Sequence, residues 1–308
     1  MASFGFMVIR GVFAVAEHLA PRLTGRAAFE LFSRTPPAHK LTDREREALK
    51  KSAALMQEGR RHDLKVAGRC VAAYDFAPRE GRRHAAPTAL VLHGWGSRAA
   101  HMTAVIESLT DVGFRVIALD LPGHGNSAGR RLNMASAVRA VYEADQWFGP
   151  FAAVVGHSFG GAIAANAIVG SIEGVARVRA GRLVMVSAPS SMPAIFRDFG
   201  RFLNLGTRTQ SALAARVLDL AGHPLDDFVV ARQLADHPVP ALVIHAPDDK
   251  EVSAKEAEAL ARAGEHVRLV WAPGLGHRRI LADRGVADSI VEFLTEAGGA
   301  GAAGRGVA

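Results

Sequence analysis

Three reactive side chains in this 308-residue chain stand at equivalent places, each just beyond a short apolar run. They are Ser158, one of the pair Asp248-Asp249, and His277. A serine hydroxyl attacks an acyl carbon only if a base within reach takes its proton. The base in turn needs an acceptor that fixes its tautomer. The local sequence suits that task. The run from Phe151 to Val155 ends in Gly156-His157-Ser158-Phe159-Gly160, and Ala162 to Ala165 then read as the start of a helix. Glycines flanking a strand-to-helix turn let two backbones pack closely around a strained central residue, which lifts the hydroxyl into reach.

The apolar runs are the strands that must position these groups. One ends at Val155, before Ser158. Another runs from Val239 to His245, before Asp248-Asp249. A third runs from Val267 to Trp271, before His277. Ligands of open α/β sheets gather at the carboxyl ends of the strands. Further buried strands are expected at Ala89–Leu92, Arg115–Ala118 and Leu183–Ser187, with one early strand between His62 and Phe76 carrying Cys70. The pattern predicts an α/β fold with a doubly wound, mostly parallel sheet.

The motifs, taken together, resemble the α/β-hydrolase superfamily. His93-Gly94-Trp95-Gly96-Ser97 resembles its HG loop, and Asp120-Leu121-Pro122-Gly123-His124-Gly125-Asn126-Ser127 its D-x-P-G-x-G-x-S segment. His245 to Val252 is similar to its acid turn, with Ala246 where glycine is commoner, and Gly274-Leu275-Gly276-His277 to its terminal G-x-G-H. The resemblance covers residues 65–295. It implies Asp249 rather than Asp248 as the acid, a triad of Ser158, His277 and Asp249, and an oxyanion hole from the backbone N–H groups of Trp95 and Phe159. It specifies fold more narrowly than substrate.

Composition agrees. At 49% hydrophobic and 22% charged, the chain can bury a large core. A single cysteine excludes a disulfide framework and a four-cysteine zinc site. The net charge of +7 is spread over scattered arginines without an interleaved aromatic stripe, so no nucleic-acid partner is expected. The thirteen histidines form no metal-ligand spacing, and neither a dinucleotide fingerprint nor a Walker lysine is present, so neither metal nor cofactor is expected. His157 reads as packing under the turn, His124 as a turn or pocket-wall residue, and Arg278-Arg279 as a solvated pair.

Residues 1–60 read as an N-terminal helical extension. Phe6, Ile9, Phe13 and Ala16 form its apolar stripe, and Thr42 to Glu45 is a capping box opening a helix to about Met56. Docking of this extension on the body is the primary expectation, peripheral membrane contact through residues 1–20 the secondary one. With no secretory leader recognisable, a cytoplasmic location is expected. The core is assigned to 61–187 and 241–295, a helical cap to 188–240, and a flexible tail to 296–308. The cap's Phe196, Phe199, Phe202 and Leu203 point to a substrate with a hydrophobic moiety. The expected activity is cofactor-free hydrolysis of a carboxylic ester, thioester or lactone. Perhydrolysis or C–C cleavage on the same triad, and a non-catalytic ligand-binding role, are the alternatives.

Overall fold

Strands of β-branched and apolar residues form a single sheet whose inner strands are buried on both faces and whose two edge strands are partly exposed. The computed structural model describes residues 4–37, 41–80 and 85–296, so the tail from residue 297 onward lies outside the described residues. Three helices come first: α1 (Phe4–Leu19), α2 (Pro21–Phe32) and α3 (Asp43–Glu58). The strands are β1 (Arg60–Val66), β2 (Arg69–Phe76), β3 (Thr88–Leu92), β4 (Arg115–Leu119), β5 (Phe151–His157), β6 (Ala180–Val186), β7 (Ala241–His245) and β8 (Val267–Trp271). Their spatial order is β1-β2-β4-β3-β5-β6-β7-β8, with β2 antiparallel to both neighbours and β3 to β8 parallel.

Between and after the strands lie α4 (Thr103–Asp111), α5 (Met134–Phe148) and α6 (Phe159–Val169). They are followed by α7 (Met192–Leu203), α8 (Thr207–Ala221), α9 (Val230–Asp236), α10 (Ala254–Ala261), α11 (Gly276–Arg279) and α12 (Arg284–Thr295). Successive strand residues serve opposite layers. Leu90, Leu92 and Val154 pack with α5 and α6, while Ala89, Val91, Ala153 and Val155 pack with α4 and α12. The chain folds back around β3, whose neighbours are β4 and β5. That reversal opens a crevice at the carboxyl edge where ligands of such sheets lie.

The early strand is in fact a hairpin. Ala67 and Gly68 both take positive φ, 46° and 77°, and turn β1 back onto β2. Two consecutive left-handed residues are what a tight hairpin turn requires, but alanine at the first position hides the signal. The capping box forms as expected: the Glu45 N–H donates to Thr42 Oγ1 at 3.2 Å and the Thr42 N–H to Glu45 Oε2 at 2.7 Å.

Residues 188–240 form α7, α8 and α9, a helical insertion between β6 and β7. The N-terminal extension docks on it. A Cβ placed on Gly25 of α2 would stand 2.6 Å from Ala212 Cβ of α8, so the helices cross in backbone contact. The expected stripe on α1 is only half turned inward. Phe13 packs against the core, whereas Ile9 is exposed and the Phe6 side chain lies outside the described set. On α7, Phe196 and Leu203 are buried and Phe199 is half-buried, but Phe202 faces outward. Its position one residue before the buried Leu203 puts it on the opposite side of the stripe.

Candidate active site

Ser158 is the pivot between β5 and α6, with φ 52° and ψ −125°. A non-glycine residue at positive φ is strained, and here the surrounding packing holds it. A Cβ on Gly156 would stand 2.4 Å from the Gly160 carbonyl carbon, and one on Gly160 would stand 2.5 Å from the Leu92 oxygen. Only glycine fits either position. The Ser158 N–H donates to the Val186 oxygen at 2.8 Å, tying the turn to the end of β6.

Asp249 and His277, which follow neighbouring strands, meet at the edge of the sheet. His277 Nδ1 lies 2.8 Å from Asp249 Oδ2, and the Asp249 carboxylate is shielded from solvent. Its other oxygen accepts the N–H groups of Glu251 at 2.8 Å and Val252 at 3.0 Å. Burial pushes the Asp249 carboxyl up, but the Val252 N–H, the His277 ring and the Glu251 N–H together outweigh it. Its pKa falls below the ordinary carboxylate value, so the group is charged at neutral pH. Asp248 turns elsewhere and accepts the Gly274 N–H at 2.8 Å, bracing the loop that carries His277.

His157 links His277 to the serine turn. Its Nε2 lies 2.8 Å from the His277 carbonyl oxygen and donates to it, and the two rings are 4.8 Å apart. Burial, then the neighbouring His277, push the pKa of His157 down to about 3, so it is a neutral strut. This matches its expected place under the turn and adds a partner that sequence alone does not indicate.

Trp95 and Phe159 pack edge to face, 5.8 Å between ring centroids. A Cβ on Gly94 would stand 2.9 Å from Ser158 Cβ, which shows how closely the HG loop passes the serine. The Phe159 N–H opens α6 and, like every first-turn N–H, has no acceptor within the helix. Two more histidines hold the HG loop. The His93 ring accepts the Leu121 N–H on Nε2 at 2.9 Å and donates from Nδ1 to the Gly94 oxygen at 2.7 Å. The His124 ring accepts the Gly96 N–H at 3.0 Å and donates to the Pro122 oxygen at 3.1 Å. Each uses one nitrogen as donor and one as acceptor, which only a neutral imidazole can do. Burial pushes His124 down to about 4 and, with the nearby His124, pushes His93 well below its ordinary value.

These three struts imply acid lability. The unfolded chain binds a proton at each below about pH 6.5, whereas the folded one does not until far lower. Stability is therefore full above that pH and is lost as pH falls toward the folded values. Each strut contributes up to about 1.4 kcal/mol per pH unit. Thermal melts should show Tm falling between pH 7 and pH 5, and an unchanged Tm would contradict the strut assignment.

Beside Phe159 lies an apolar cleft walled by Phe29 and Phe32 of α2, Phe196 of α7, Val217 and Leu220 of α8, and Phe228. Phe32 packs against Phe196 with the rings tilted and centroids 4.4 Å apart, meets Phe199 edge-on at 5.1 Å and approaches Trp95 at 6.1 Å. The side chains leave about 30 Å³ free, room for no more than a water or two. The contribution of α2 is the feature that sequence reasoning missed: nothing local in residues 21–32 shows that they wall a cleft next to residue 159. Arg278 and Arg279 do not face that cleft as a bare cationic pair. Arg278 Nε pairs with Glu251 Oε1 at 3.0 Å, and Arg279 donates to the Gly274 oxygen at 2.7 Å.

The profile of the alpha/beta hydrolase family matches residues 89–289, about two thirds of the chain. The chain belongs to that family. It is similar to the dihydrolipoyllysine-residue acetyltransferase component of the acetoin cleaving system of Cupriavidus necator, 37% identical over 117 residues, 35% of this chain. The match spans 31% of that protein's length. Among solved structures, Est1E from Butyrivibrio proteoclasticus with ferulic acid bound superposes with a TM-score of 0.59 at 18% identity. It covers 76% of this chain and 100% of that one. Carboxylesterase CesB from Bacillus subtilis superposes with a TM-score of 0.58 at 16% identity, over 81% of this chain and 96% of that one. These likenesses are of fold.

Proposed function

We infer that the protein hydrolyses carboxylic esters bearing an apolar acyl or alcohol group, through an acyl-enzyme on Ser158. The observations that carry this reading are the strained serine at the carboxyl edge of the sheet and an imidazole whose Nδ1 is held by a buried, charged carboxylate and whose own backbone oxygen is tied to His157, the residue before the serine. His277 takes the Ser158 proton as Oγ attacks the ester carbonyl. Asp249 keeps the proton on Nδ1, which leaves Nε2, with Glu251 Oε2 3.8 Å away, unprotonated as the base, and stabilises the imidazolium. The negative oxygen is received by the N–H groups of Phe159 and Trp95, each such donor being worth about 10²–10³ in rate. His277 then protonates the leaving alcohol, and a water it deprotonates releases the acid. The structure of a carboxylesterase with the same fold supports this choice of bond.

Residues 188–240 serve as the cap, with α2 as its second wall. The cleft is nearly filled, so an acyl chain enters as Phe32 and Phe196 give way. The test is a panel of p-nitrophenyl esters of increasing acyl length. Phe32→Ala is expected to raise the kcat/KM of long esters relative to short ones by about tenfold or more, the scale of a changed apolar pocket contact. Phe196→Ala should act in the same direction. A uniform loss across the panel, with Tm preserved, would mean that the cleft does not hold the substrate.

A further inference from the structure

The first two helices carry a surface that inverts ordinary amphipathic design. On α1 the charged residues turn toward the body: Glu17 accepts the Gly206 N–H, and Arg10 is half-buried. Opposite them, Val12, Val15 and Leu19 are 61%, 63% and 82% exposed, and Leu23 on α2 continues the ridge at 65%. At 3.6 residues per turn, Val12, Val15 and Leu19 fall within an arc of roughly 60°. A helix facing only water carries its polar residues on that side. A contiguous apolar ridge marks a contact surface.

The charges beside the ridge indicate what it contacts. Arg22 and Arg26 are exposed along it. Both carboxylates of the two helices are engaged elsewhere, Glu17 at Gly206 and Glu30 with Arg131 Nε at 2.7 Å. An apolar ridge fringed by these arginines, with both described carboxylates of the two helices engaged, complements an anionic lipid interface. A second copy of the chain would instead set Arg22 and Arg26 against their like. No described helix is long and apolar enough to cross a membrane. We propose that the ridge of α1 and α2 lies flat in the interfacial region of an anionic lipid bilayer. The opposite face of α2 carries Phe29 and Phe32, so docking brings the cleft wall to the lipid surface. This holds whichever bond the site cleaves.

The test is co-sedimentation of the full chain with vesicles of phosphatidylcholine, with and without phosphatidylglycerol. The protein is expected to pellet with the phosphatidylglycerol vesicles and to be released by salt. The double variant Val15→Asp/Leu19→Asp is expected to partition at least about tenfold less, because two apolar anchors are lost from the interface. Arg22→Gln/Arg26→Gln should lose the preference for phosphatidylglycerol. These side chains are exposed, so the melts of both variants should match the parent and separate lost docking from lost folding. Absence of protein in the vesicle pellet, or Val15→Asp/Leu19→Asp binding as the parent does, would overturn the proposal. So would a self-association that this double variant abolishes in a protein that ignores vesicles, which would assign the ridge to a second copy.

Discussion

Replacing Ser158 by alanine is expected to reduce ester hydrolysis by about 10⁴–10⁶, the scale of losing the nucleophile of a triad. The fold should survive. Ser158 is anchored through its backbone N–H to Val186, and the glycines at 156 and 160 provide the close approach that shapes the turn. Alanine keeps all of these. A purified Ser158→Ala protein with an unchanged melt and activity within tenfold of the parent would remove the serine from the mechanism.

The second large effect is at the acid. Asp249→Asn should leave a folded enzyme slower by about 10⁴, because an amide can fix the wrong imidazole tautomer. The geometry makes the direction plain. One Asp249 oxygen accepts the N–H groups of Glu251 and Val252, and asparagine can keep its carbonyl there. Its amide NH₂ then faces His277 Nδ1 and donates to it, so the ring proton moves to Nε2, the nitrogen that must act as base. Asp248→Asn should cost less than tenfold, since its amide oxygen still accepts the Gly274 N–H. Steady-state kinetics of the two variants side by side check this. Equal or reversed losses would contradict the assignment of Asp249.

Much of this arrangement was legible in the sequence because it is local. Gly156 and Gly160 bracket a serine between an apolar strand and a small-residue helix, and each glycine answers a backbone contact below 3 Å. The choice of Asp249 over Asp248 rested on resemblance to an acid turn, and the side chains do diverge, one to His277 and the other to Gly274. What escaped was either disguised or non-local. Ala67 occupies a left-handed turn position that glycine or asparagine usually signals, so one strand was expected where β1 and β2 form a hairpin. The α1 stripe of Phe6, Ile9, Phe13 and Ala16 was read from apolar spacing alone, which cannot show that Ile9 is exposed or that a second apolar face, with Val12, Val15 and Leu19, is turned outward. The cleft wall from Phe29 and Phe32 depends on α2 crossing α8 at Gly25, a contact between residues nearly two hundred positions apart. The histidine struts at 93, 124 and 157 were visible as residue types, but their tautomers are set by backbone partners that only the folded chain supplies.

The central claim is that Ser158 is an activated nucleophile, and covalent labelling tests it most directly. A fluorophosphonate labels a serine whose Oγ attacks its phosphorus as a neighbouring base takes the proton and fluoride leaves, with the probe's phosphoryl oxygen held in the oxyanion site. Incubation of the purified full chain with such a probe, followed by intact mass and peptide mapping, is expected to give a single adduct on Ser158. The adduct should be absent from Ser158→Ala and slowed severely in Asp249→Asn. A folded parent protein that takes up no label, or one labelled at another residue, would contradict the account.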